Sequence, residues 1–141
     1  MIVAQKKRKE NIAEYLLYMW QIEDTIRALK FDFERIKSLL VNQYQVEAKQ
    51  KAEIENWYRN LMLMLEKEQR TQNGHLQFLV NMSNDLNNFH LALISENVDA
   101  QYTSLYQNIK PDIDLLREKS KQNHHDIDVV LNTLYIMLML K

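Results

Sequence analysis

A chain with a single glycine, Gly74, and a single proline, Pro111, cannot make the many tight turns that a stranded sheet demands. Hairpin loops need residues that accept positive φ, which glycine supplies freely and Asn or Asp at some cost. Helices need no such residue in their interiors, so the scarcity predicts an all-α fold. It also removes whole classes of function. Phosphate loops and dinucleotide fingerprints need several glycines so that backbone amides can approach phosphate closely. A G-x-S-x-G nucleophile elbow is absent as well. With no cysteine there is no disulfide, no thiolate nucleophile and no cysteine zinc site.

Hydrophobic residues are 46% and charged residues 26% of the 141, the balance of a folded chain of one-domain length. A net charge of −1 argues against a general nucleic-acid binder, so no nucleic-acid partner is expected. No apolar run approaches the ~20 residues of a membrane span, and no membrane association is expected. Lys6, Lys7, Arg8 and Lys9 precede IAEYLLYMW, which resembles a signal h-region. Glu14 interrupts it and no small-x-small cleavage site follows, so a cytoplasmic location is expected.

Periodicity divides the chain into amphipathic stretches. In residues 8–29, Ile12, Leu16, Met19 and Ile26 fall within about 40° of one line at 100° per residue, flanked by Tyr15, Trp20 and Ile22. The basic run sits at the start of this first expected helix, where cations are unfavourable. A second helix follows Asp32, a cap residue with Phe31 and Ile36 at the spacing of a hydrophobic staple. The third, residues 47–70, carries Ile54, Trp57, Tyr58, Leu61, Met62 and Leu65. Its LMLML run at 61–65 is apolar all round, which predicts burial on more than one side, and Gly74 is the natural left-handed terminator.

The fourth, residues 75–94, places His90 amid Leu76, Leu79, Ser83, Leu86 and Leu93. The fifth carries Tyr102, Leu105, Tyr106, Ile109, Ile113 and Leu116, with a kink or break expected at Pro111. A turn at 122–126 leads to the sixth, with Val130, Leu131, Leu134 and Leu138. The expected architecture is a single antiparallel bundle of five to six helices spanning 1–141, with a Pro kink in the fifth.

Two ionisable residues sit centrally on apolar stripes: Glu23 and His90. A carboxylate there is costly unless paired. One reading is an acid–base pair between the first and fourth helices. The other is two hydrogen-bonded structural groups, Glu23 being satisfied by Arg27 one turn along.

For metal chemistry, none of His75, His90, His124 or His125 follows a Glu by three positions, and no two stand four apart. His75 and His90 are separated by roughly 22 Å along one helix, too far to share an ion. In His124-His125-Asp126-Ile127-Asp128, imidazoles and carboxylates offer metal ligands, or simply a solvated helix start where acids are favourable. No metal or cofactor is expected, and no small-molecule ligand is identifiable. Arg70 and His75 form an R-x4-H arrangement similar to the motif of HEPN-type helical ribonucleases, but Gly74 should interrupt the helix that carries such a motif. No nuclease site is expected there.

The segment KRKENIAEYLLYMWQIED at 7–24, Trp57-Tyr58 before LMLML, Gly74-His75-Leu76-Gln77, and Asp85-Leu86 with His90-Leu91 occur in an order that spans most of the chain. Together they resemble a bacterial domain-of-unknown-function family of small all-helical proteins. The resemblance implies an all-α cytoplasmic fold, with no known activity and no catalytic residue to carry over. It also implies a family pattern that continues beyond the equivalent of Leu140. The expected function is non-enzymatic, through protein–protein contacts or self-association, with a homodimer formed through the sixth helix and the third. The alternative is a small hydrolase or HEPN-like ribonuclease using His75 or His90 with Arg70 or Glu23.

Overall fold

In the computed structural model, which describes residues 1–122 and 124–141, every regular element is helical. The order is α1 (Ile2–Glu10), α2 (Ile12–Ala28), α3 (Phe33–Leu39), a 3-10 turn (Val41–Gln43), α4 (Ala48–Lys67), α5 (Gln77–Ser95), α6 (Ala100–Ser120) and α7 (Asp126–Met139). The described residues thus hold seven α-helices, not five to six. The extra one arises at Asn11, whose extended backbone breaks the helix and whose side chain caps α2 by accepting from the Glu14 amide at 3.1 Å. Lys7, Arg8 and Lys9 therefore lie in the last turn of α1, where cations are favourable, rather than at the start of the next helix.

Other helix ends also depart from expectation. Asp32 caps α3 as its position predicts, accepting from the Glu34 and Arg35 amides. Gly74 does not terminate α4. That helix ends at Lys67, and Gln69 takes the left-handed conformation, as do Lys30, Phe31, Asn97 and Lys121 elsewhere. Gly74 has φ +86 in the following loop, where a Cβ would stand 3.0 Å from the Arg70 side chain. α6 runs without a break through Pro111, an exposed position spanned by the Lys110–Asp114 ion pair. The expected turn at 122–126 includes Asn123, which lies outside the described residues. Among the described residues no helix is long and apolar enough to cross a membrane.

The chain divides into two compact units, Met1–Leu79 and Val80–Lys141. In the first, α1 packs on α2, and α4 packs on α2 and α3. Leu16, Ile26, Ile36, Val41, Tyr58 and Leu65 are all but inaccessible to water and form its core. Burial of side chains this size stabilises by roughly 1.5–3 kcal/mol each. The LMLML run is covered on one side only: Leu61, Met62 and Leu65 are buried, whereas Leu63 is exposed. In the second unit α6 packs on α7, and the buried apolar residues are Ile113, Val129 and Leu131. Three polar side chains of α5, Ser83, Asn87 and His90, are buried beside them.

Candidate functional site

In each unit, among the described residues, ionisable groups gather around a carboxylate shielded from water. In the first, the stripe of α2 carries Glu23 into the core, where it is 1% exposed. Its Oε2 accepts from the Leu76 amide at 2.8 Å and its Oε1 lies 2.7 Å from His75 Nδ1. The His75 ring stacks on Trp20, with centroids 4.4 Å apart and planes 14° from parallel. Arg27 is not the partner of Glu23. Its guanidinium donates to the carbonyls of Arg70 and Gly74 and to Asp24, and so fixes the loop that brings His75 over the carboxylate. A buried carboxylate with a backbone amide and an imidazole is a satisfied structural group.

Arg70 and His75 do not converge. Gly74 packs under the Arg70 guanidinium, while the His75 ring is turned to Glu23 and Trp20. A site of the HEPN kind needs both side chains aimed at one phosphate.

The second cluster centres on Asp126, the first residue of α7. Its Oδ2 accepts from the Tyr106 hydroxyl at 2.7 Å and lies 3.1 Å from His90 Nε2, and its Oδ1 accepts from the Arg117 guanidinium. Burial would push the Asp126 carboxyl up, but the hydrogen bonds from Tyr106, His90 and Arg117 outweigh it and hold it below the usual carboxylate range. His90, 4% exposed, lies with Nδ1 2.6 Å from the Tyr102 hydroxyl. With the ring neutral and Nε2–H donating to Asp126, Nδ1 is the acceptor and the Tyr102 hydroxyl the donor. Arg117 is oriented in turn by Asp114 and the His124 carbonyl.

Glu23 and His90, the two residues singled out by their stripes, are therefore both buried and hydrogen-bonded, but each has its own partners. His75 is the partner of the first and Asp126 of the second. Tyr102, Tyr106 and Arg117 escape a search of the sequence, because the two tyrosines look like ordinary stripe residues and Arg117 like any charge on a helix face. Asp126 carried a weak signal as an acid at a helix start.

The chemistry available at the second cluster follows from its proton positions. Asp126, His90 and Tyr102 form a carboxylate–imidazole–hydroxyl chain, the connectivity that activates a serine nucleophile. Here burial first, and Asp126 second, raise the Tyr102 pKa, so the phenol keeps its proton at neutral pH. Burial and the bond to Asp126 likewise push Tyr106 up to about 12. The chain fixes positions rather than generating a nucleophile.

The residues His124 to Asp128 cap α7 and tie its first turn to α5 and α6. His125 Nδ1 accepts from the Asp128 amide as the cap of α7, and its Nε2 lies 3.1 Å from Asn84 Oδ1. Asp128 accepts from Ser83, and the Ile127 amide donates to Asn87. Among the described residues no group of three or more His, Asp or Glu is arranged to hold a metal ion.

No curated protein and no solved structure matches the chain. One family model does match, over the full range 1–141, and it describes a domain of unknown function, DUF4924. The chain belongs to that family.

Proposed function

We propose that this is a non-enzymatic helical protein that acts through protein–protein contacts, and first through self-association into a homodimer. The observation that carries this reading is the surface of α7. From residue 134 to 140 the sequence LYIMLML has no polar side chain except the Tyr135 hydroxyl. Ile136 is 58% exposed, Met137 60% and Leu140 81%. Covering such side chains contributes roughly 1.5–3 kcal/mol each, enough to offset part of the cost of association. A two-fold contact is the simplest closed solution for one repeated patch. Leu63 on α4, exposed beside buried neighbours, supplies a second apolar contact.

The reading includes a single domain over residues 1–141, supported by one family model spanning that range. It also includes a cytoplasmic bacterial setting, supported by the family resemblance. A bend of α6 at Pro111 belongs to it too, since proline has no N–H for the Gln107 carbonyl. The test is light scattering after gel filtration at micromolar protein. The expected result is a dimer mass for the native chain and a monomer mass for Ile136→Glu/Met137→Glu. A native chain that is monomeric at every concentration overturns the reading.

A second reading, a small hydrolase, is favoured by one observation: buried His90 and its half-buried partner Asp126 line a cavity in the second unit. In that reading a water or substrate hydroxyl takes the place of the Tyr102 hydroxyl at His90 Nδ1, and His90 acts on it as a general base. Its test is turnover of ester, phosphodiester and RNA substrates by the native chain and by His90→Gln. The same assays on His75→Ala test the HEPN-like alternative, in which loss of RNA cleavage would place His75 at the centre.

A further inference from the structure

The cavity beside His90 measures ≈ 200 Å³ and belongs wholly to the second unit. Leu105, Ile109 and Ile113 of α6 and Ile127 and Val130 of α7 form its apolar walls. His90, Tyr102, Tyr106 and Asp126 close its polar end. The His90 ring meets both phenols edge to face, with centroids 5.8 Å from Tyr102 and 4.9 Å from Tyr106. A cavity walled by branched aliphatic side chains is a poor host for water, which needs two to four polar partners. An apolar cavity of about 150 Å³ accommodates a benzene ring, so this one has room for a ring with a substituent.

The hydrogen bonds at the polar end decide what that substituent is. With His90 neutral, the Tyr102 proton is committed to Nδ1, and the Tyr106 and Nε2 protons are committed to Asp126. The Arg117 guanidinium is shared by Asp126, Asp114 and the His124 carbonyl. Arg117 does not line the cavity; every donor that does is spent, while each phenol oxygen keeps an unused lone pair. The end thus accepts hydrogen bonds and offers none. An anion would meet the Asp126 carboxylate with no donor to receive it. A full cation would give up its hydration in an apolar cavity against a carboxylate that Arg117 already neutralises.

The geometry points to a binding site for a small neutral molecule, a ring or branched chain of about that volume bearing one hydroxyl donor: a phenol or a compact alcohol. The ligand places its apolar body between α6 and α7 and donates its hydroxyl proton to Tyr102 or Tyr106. This site is independent of how the chain associates.

The experiment is a ligand-observed NMR titration of the full chain at pH 8 with p-cresol, toluene and benzoate, which share a ring and differ in the polar group. Saturable binding of p-cresol at one site is expected, with toluene weaker by about three- to tenfold for the missing donor and benzoate unbound. Val130→Phe and Ile109→Phe each fill the cavity, the second from its exposed rim, and each should weaken p-cresol by at least about tenfold while the circular dichroism spectrum is unchanged. If one of the pair fails to fold, the other carries the comparison. No saturable binding of p-cresol overturns the inference, as does p-cresol binding undiminished in a folded filled variant. Toluene or benzoate binding as tightly as p-cresol overturns the donor assignment on which it stands.

Discussion

The two units use helices of similar length to opposite ends. In the first, α2 and α4 turn Leu16, Met19, Ile26, Tyr58 and Leu65 inward, and the apolar surface of those helices is largely spent on their own core. In the second, α6 and α7 bury Ile113, Val129 and Leu131, while Leu105, Leu115, Leu116, Ile136 and Met137 stay exposed. What the second unit buries instead is polar: Ser83, Asn87 and His90, held by bonds to the first turns of α7. Apolar burial is strong and non-directional, whereas a hydrogen-bond network adds little net stability but fixes geometry. The first unit is therefore built to be stable. The second is built to hold defined groups in place, and it leaves more of its apolar side chains exposed.

The largest effect should come from the core of the first unit. Leu16 and Leu65 are 0% exposed, and replacing either with Ala should cost about 2–5 kcal/mol, the transfer free energy plus the cavity left behind. Denaturant unfolding followed by tryptophan fluorescence reads this directly, because Trp20 and Trp57 both lie in the first unit. A cost under about 1 kcal/mol would mean that this core is not close-packed, and the contrast between the units would fail.

Next in size is Asp126→Asn. An amide presents its own N–H groups where Tyr106, His90 and Arg117 need acceptors, and stranding such donors should cost about 2–3 kcal/mol at pH 7. The cost should depend on pH. A carboxyl held below its usual range contributes stability that is fully present above the unfolded value of about 3.9 and is lost as pH falls through the lower folded value. The gap between the native chain and Asp126→Asn should therefore be constant from neutrality to about pH 5 and close below about pH 4. Amide hydrogen exchange in α6 and α7 is the measurement, since it localises the loss to the second unit. A gap that persists at pH 3 would show that Asp126 acts by packing and not by charge.

The difference between the units also explains what the sequence disclosed. A 3.6-residue stripe says which residues face inward only where something covers it: Leu16, Ile26, Tyr58, Leu65, Glu23 and His90 lie in the interior as expected, whereas Leu105, Ile109 and Leu116 of the α6 stripe and Leu134 and Leu138 of the α7 stripe are exposed. It does not say which helix lies opposite. The partners of Glu23 are 52 and 53 residues away along the chain and those of His90 12 and 36, and no local pattern encodes such pairings. The end of α4 departs from expectation because left-handed Gln69, and not Gly74, follows it. The break at Asn11 was legible in principle, because Asn11 followed three residues later by Glu14 is an N-cap pattern. It was masked by the basic and apolar residues running on either side.

A smaller effect is expected at Glu23, the polar residue in the apolar unit. Glu23→Leu removes the acceptor of the Leu76 amide and should cost about 1–3 kcal/mol. Glu23→Gln keeps one carbonyl oxygen for that amide, and its own amide donates to His75 where Nδ1 is unprotonated, so it should cost about 1 kcal/mol or less. Thermal unfolding of both variants separates the two outcomes. Equal losses would mean that charge, not acceptor geometry, is what the site requires of residue 23.

The smallest effect on folding should be at Ile136, and it sharpens the comparison most. An apolar residue of the first unit contributes to the stability of the chain that carries it. Ile136, 58% exposed, makes no such contribution if the second unit leaves its surface for another molecule. Ile136→Ser should then change the free energy of unfolding by less than about 0.5 kcal/mol when measured at high dilution, where the chain is a monomer. At tens of micromolar the native chain should gain stability by mass action and the variant should gain less. The measurement is urea unfolding at two protein concentrations a hundredfold apart, on both chains. A loss that is large and the same at both concentrations would place Ile136 in the core of its own unit. It would then be the second unit's thin core, and not its free surface, that needs explaining.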